Sequence, residues 1–144
     1  NWRELHLLRT AGFRDVIGLD LFSEQSDIRV GDMHAMPFED NRFGMIWASH
    51  VLEHARHPEL VFDEITRVAN EDAIVLTAYP TNFTPNWHDR WDYGHPLGRP
   101  WALLNRRAFA ACLWMQSRGM TEGGHEPSEW VACFRLSQAA SAGR

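Results

Sequence analysis

Asp20 and Asp32 each close a short apolar run, Val16-Ile17-Gly18-Leu19 before the first and Ile28 with Val30 before the second. A third run, Phe43 to Ala48, opens onto Ser49 and His50. A carboxylate at the tip of a strand in a nucleotide-binding sheet can accept hydrogen bonds from two vicinal hydroxyls at once. That is the role Asp20 fits, a simple turn being the alternative. Asp32 could accept from an exocyclic amine while Met33 packs on a flat ring, or it could start a turn after Gly31. His50, His54 and His57 are spaced i, i+4, i+7 with Glu53 among them, so on one helix the three imidazoles would share a face as metal ligands do. Pro58 and the strand just before them argue against such a helix. No metal is therefore assigned, and His54 reads as a general base or as a residue buried against the next helix.

Elements that could position these groups follow from apolar spacing. Trp2, Leu5, Leu8 and Ala11 predict a first helix closed by Gly12. Strands are expected at 16–19, 28–30, 43–48, 73–78 and 130–136, and a helix entered at Pro58 with Val61, Ile65 and Val68 on one face. Asn105 is read as the N-cap of a last helix carrying Phe109, Cys112, Leu113 and Gln116 and ending at Gly119. Trp47, Trp114 and Trp130 fall in periodic segments and are expected in the core. The stretch 81–100 has no period but carries Trp87, His88, Trp91, Tyr93 and His95, and reads as an ordered loop that could clamp a flat or sugar-like acceptor. Residues 137–144 are expected to fray.

Apolar strands alternating with helices imply an α/β chain, with a mostly parallel open sheet covered by helices on both faces. Ligands in such sheets sit beyond the carboxyl ends of the strands, where Asp20, Asp32, Ser49 and His50 lie. The 144 residues, 44% hydrophobic, suit one domain: a core at 1–80, the aromatic loop 81–100, a helix and strand at 101–136 and a tail. The net charge is −5, and all 14 positive residues are Arg and scattered, which argues against nucleic acid as a partner and removes lysine Schiff-base and Walker-type phosphate chemistry. Two cysteines without C-x-x-C spacing and no apolar stretch of about 18 residues fit a cytoplasmic protein without a membrane partner.

Together, "VIGLD" at 16–20, "VGDMHAMPFEDNRFGMIWASHVLEH" at 30–54, "PELVFDEITRV" at 58–68 and "AIVLTAYP" at 73–80 resemble class I S-adenosylmethionine-dependent methyltransferases of the type 11, ubiquinone-pathway-like kind. The resemblance implies a Rossmann-like fold with S-adenosyl-L-methionine as cofactor and an oxygen or nitrogen of a small-molecule acceptor as the methylated atom. It further implies that Asp20 holds the ribose, Asp32 and Met33 flank the adenine, and Ser49 and His50 line the methionine and substrate side, with Leu21 in the same cofactor-binding set. His54 or His50 would serve as base, and Trp87, His88, Trp91, Tyr93 and His95 as the acceptor pocket. The family's first strand and glycine-rich turn would precede residue 2, so an N-terminally truncated record is expected. Its usual Lys-Pro-Gly-Gly turn is replaced by Asn70-Glu71-Asp72, where Asn70 could adopt a left-handed conformation. Two rival readings are a degenerate methyltransferase-fold binding module and a metal-dependent hydrolase built on the clusters 50–57 and 88–95.

Overall fold

The computed structural model describes residues 2–80, 109–118 and 129–136, with side chains described over 2–78 and 131–136. Helix α1 (Trp2–Thr10) ends as its spacing predicts. Gly12 adopts φ 101°, and the N–H groups of Gly12 and Phe13 donate to Arg9 and Leu8 carbonyls at 3.0 and 3.1 Å. Leu5 is the buried residue of this helix and reaches the strand pair β1 (Gly18–Asp20) and β2 (Ile28–Val30). A Cβ at Gly18 would meet Leu5 Cδ1 at 3.0 Å and Ile28 Cγ1 at 3.1 Å, so glycine permits that approach. The two strands pair in parallel with Asp20 opposite Val30.

The rest of the described chain forms a second sheet. It contains β3 (Phe43–Ser49), β4 (Ala69–Pro80), β5 (Phe109–Arg118) and β6 (Glu129–Leu136), in the order β3-β4-β6-β5. A single 3-10 turn (Leu52–His54) and helix α2 (Pro58–Val68) connect β3 to β4, a right-sized crossover for the parallel pairing of these two strands. Pro58 opens α2 as expected, Val68 is buried, and Val61, Phe62 and Ile65 are buried against Ala73 and Val75 of β4 and Phe134 and Leu136 of β6. The core therefore lies between α2 and one face of this sheet. Among the described residues no ladder joins β1 to β3.

The structure corrects four expectations. The segment 109–118 is a strand rather than a helix, antiparallel to β6 over eight partner pairs. Its Ala, Leu, Met and Gln residues favour helix locally, but a short apolar run satisfies either period, and pairing along β6 decides. The sheet is consequently mixed, since β4–β6 and β6–β5 are antiparallel. Trp47 is 43% exposed rather than core, because Ile46 and Ala48 take the face packed toward α2 and leave Trp47 on the other. The left-handed residue of the 70–72 stretch is Asp72, φ 63°, not Asn70. There the β3–β4 register jumps from Phe43↔Ala69 to Met45↔Ile74 as a bulge. The tail beyond 136 and the loop 81–100 lie outside the described residues.

Candidate functional site

Asp20 and Asp32 stand at adjacent tips of the parallel pair. The Gly31 N–H donates to the Asp20 carbonyl at 2.9 Å, joining the tips through the backbone. The Asp20 carboxylate is exposed, with Oδ1 accepting the Phe22 N–H at 3.3 Å in a local turn. Asp32 Oδ1 accepts the His34 N–H at 2.8 Å and lies 2.6 Å from His34 Nδ1. The His34 backbone N–H holds the Asp32 carboxyl below its ordinary value, against the opposing effect of partial burial. His34 Nε2 accepts the His57 N–H at 3.1 Å, which assigns the ring its neutral form with the proton on Nδ1. The loop leaving β2 is thus tied to the residue that begins α2.

The same loop is gripped at the far end of α2. The guanidinium of Arg67 donates from Nε and Nη2 to the two Glu64 carboxylate oxygens at 2.7 and 2.8 Å, a bidentate fork. Nη1 reaches Asp40 Oδ1 at 2.7 Å and the Phe38 carbonyl at 2.8 Å, and Nη2 reaches the Met36 carbonyl at 2.9 Å. Glu64 Oε2 in turn accepts the Met36 N–H at 2.6 Å, and the Arg67 carbonyl accepts the Asn41 N–H at 2.9 Å. Arg67 holds the Glu64 carboxyl below its ordinary range, while Glu64 and then Asp40 hold Arg67 still more firmly protonated.

The tip of β3 is built differently. His50 has φ 48°, an uncommon conformation for a residue with a side chain, and its N–H donates to the Ala78 carbonyl of β4 at 3.0 Å. The chain then turns inward through Leu52 and Glu53, which are 1% and 2% exposed. Glu53 Oε1 lies 3.6 Å from His50 Nδ1 and 4.0 Å from His54 Nε2, so a buried carboxylate sits between two part-exposed imidazoles. Met33, Met36 and Val51 pack on the cluster that contains Leu52 and Ala55, which brings the β2 and β3 tips onto one core.

The structure thus gathers Asp20, Leu21, Asp32 and Met33 at one pair of strand tips and Ser49, His50 and His54 at the next. It does not place His50, His54 and His57 on one helix: Ala55 is extended with ψ 117°, and His57 pairs with His34 instead. Among the described residues no group of three or more His, Cys, Asp or Glu side chains is arranged to hold a metal ion. Trp87, His88, Trp91, Tyr93 and His95 lie outside the described residues. Sequence reasoning missed His34 and the Glu64–Arg67–Asp40 clamp. The i, i+3 spacing of Glu64 and Arg67 was the one available signal.

Parallel strands with polar groups at their carboxyl tips define a Rossmann-like α/β protein. Residues 3–77, more than half of the chain, match the family described as "Methyltransferase domain", and the chain belongs to that family of class I S-adenosylmethionine-dependent methyltransferases. A search of curated proteins finds no match. Solved structures share the fold. A protein from Pyrococcus horikoshii OT3 superposes with TM-score 0.71 at 15% identity, covering 93% of this chain and 76% of that one. An S-adenosylmethionine-dependent methyltransferase from Mesorhizobium loti gives TM-score 0.68 at 14% identity, covering 92% and 85%. The [4+2]-cyclase SpnF gives 0.58 at 17% identity over 77% of this chain, which spans only 57% of that cyclase.

S-adenosylmethionine is the cofactor of this family, and the donor set at the strand tips suits it chemically. Carboxylate acceptors at two neighbouring tips complement ribose hydroxyls and an exocyclic amine, and Met33 sits half-buried beside them. No helix among the described residues is long and apolar enough to cross a membrane.

Proposed function

We propose that this chain transfers a methyl group from S-adenosylmethionine to an oxygen or nitrogen of a small-molecule acceptor, in the cytoplasm. The observation that carries the reading is the gathering of Asp20, Asp32, Met33 and His50 at the carboxyl ends of parallel strands. When bound, the cofactor supplies an activated methyl group on a sulfonium centre. Asp20 accepts the ribose hydroxyls, Asp32 accepts from the adenine amine, and Met33 packs on the ring, with Leu21 beside them. Ser49 and His50 border the reacting end. In-line methyl displacement needs alignment more than acid or base help, so positioning is the main task of these residues. Where the acceptor must lose a proton, His50 Nε2, on the far side of its ring from Glu53, takes it, with His54 as the other imidazole able to do so. To Trp87, His88, Trp91, Tyr93 and His95 we assign recognition of the acceptor, on the family resemblance.

Calorimetric titration of S-adenosylhomocysteine into the chain, repeated with Asp20→Ala, tests the reading. Micromolar binding by the parent and its loss in the variant is the expected result. Absence of binding by the folded parent means either that the family's glycine-rich first strand is indispensable or that this is a binding module without cofactor, and titrating a chain that carries that strand separates the two. Given an identified acceptor, turnover unchanged in both His50→Ala and His54→Ala would remove the imidazoles from the mechanism.

A further inference from the structure

The loop from Gly31 to Asn41 has little pairing of its own. An isolated bridge joins Asp32 to Ala35, and the Phe38 N–H donates to the Met36 carbonyl at 2.8 Å. Its remaining described backbone bonds run from the His34 N–H to the Asp32 carboxylate, to Asp20 at one end and to α2 at the other. Arg67 grips the Met36 and Phe38 carbonyls, which flank Pro37. The Pro37 ring is itself pressed on Gly31, where an added Cβ would stand 2.7 Å from Pro37 Cδ and 2.8 Å from Cγ. Gly31 is the residue between β2 and Asp32. A continuous mechanical path therefore leads from the α2 guanidinium through two carbonyls and a rigid ring to the backbone that aims Asp32 and Met33.

We infer that Arg67 is a positioning residue for cofactor binding, acting through Pro37 on Gly31 and so on Asp32 and Met33. The inference rests on the cofactor roles proposed above for those two residues. Arginine suits the task because its planar fork offers five N–H donors in fixed directions, and all five are engaged here. Lysine would keep the charge near Glu64 but could not hold two carbonyls and two carboxylates at once. Pro37 matters for its stiffness: a ring with fixed φ transmits the position of its two neighbours to Gly31, whereas alanine leaves a gap.

The test is calorimetric titration of S-adenosylhomocysteine into the parent chain, Arg67→Lys, Pro37→Ala and the double variant, each first shown to be folded by circular dichroism and urea unfolding. Each single variant is expected to weaken binding about tenfold, and the double variant to bind within about twofold of the weaker single one, because both break the same path. With an identified acceptor, KM for S-adenosylmethionine should rise by a similar factor while kcat stays within about twofold, since neither residue touches the reacting centre. A folded Arg67→Lys that loses stability but keeps the parent affinity would make Arg67 a helix-to-loop staple and overturn the inference. If that variant does not fold, Pro37→Ala decides by the same criterion. A folded parent that binds no S-adenosylhomocysteine, with or without the family's first strand, removes the cofactor reading and the inference with it, whereas parent binding with unchanged variants overturns the inference alone.

Discussion

The loop 31–41 and the segment 49–55 bring side chains to the same end of parallel strands, yet opposite forces hold them. The first is suspended on directional polar bonds to α2, with Arg67, Glu64 and His34 supplying most of the contacts. The second is buried, with Leu52, Glu53 and Ala55 at 1%, 2% and 0% exposure on the apolar floor formed by α2 and the sheet. Directional bonds specify a shape finely but depend on single residues and on protonation. Apolar burial is spread over many contacts and answers chiefly to loss of volume. One helix serves both regions: its inner stripe makes the floor and its polar flank makes the clamp.

The largest blow to the buried region is Phe62→Ala. Phe62 is fully buried in α2 beneath the 49–55 segment, and its truncation should cost about 3–5 kcal/mol, seen as a large drop in the urea midpoint. Arg67→Ala should cost less, about 1–3 kcal/mol, because the lost bonds are partly replaced by water at a half-exposed site. Its signature is local: amide exchange at Met36 and Asn41 should accelerate while amides of β4 stay protected.

Acid separates the two regions more gently. Arg67 depresses the folded-state pKa of Glu64 and the His34 amide depresses that of Asp32, so both contributions are present above the ordinary carboxyl values of 4.5 and 3.8. They are lost as pH falls through the lower folded-state values. Stability measured downward from pH 5 should decline, with loop amides opening before core amides. A decline that becomes shallower in Glu64→Gln, with the Asp32 contribution left in place, assigns the lost part to the clamp. The smallest effect belongs to Arg9→Ala. Arg9 meets Asp27 at 2.6 Å, but both side chains are more than one-third exposed, so the unfolding midpoint should not move measurably in 0.15 M salt.

Much of this architecture was readable from apolar spacing and its punctuation. Gly12 ends α1, Pro58 starts α2, and the runs before Asp20, Asp32 and Ser49 became strands whose tips carry the expected groups. Residues 109–118 were not readable, because Phe109, Cys112 and Leu113 satisfy a helical period while the deciding partner, β6, lies beyond them in the chain. The clamp escaped for a different reason. Four of its contacts run from side chain to main chain across 28 to 31 residues or to Asp40, and such bonds impose no period on the sequence. His34 was passed over because its partner, the His57 N–H, is a backbone group 23 residues away and carries no residue-type signal.

Among the described residues, three with side chains adopt left-handed backbone, Asn41, His50 and Asp72. Asn and Asp are at home in that region, since their short polar side chains can bond the local backbone. An imidazole at the end of a strand is less so, and glycine in its place would relax the backbone. Selection for heat resistance alone would thus be drawn to replace His50, and a library screened only for survival at high temperature would drift toward a sturdier chain stripped of its candidate base. Retaining histidine there is a choice that thermal stability by itself would not make.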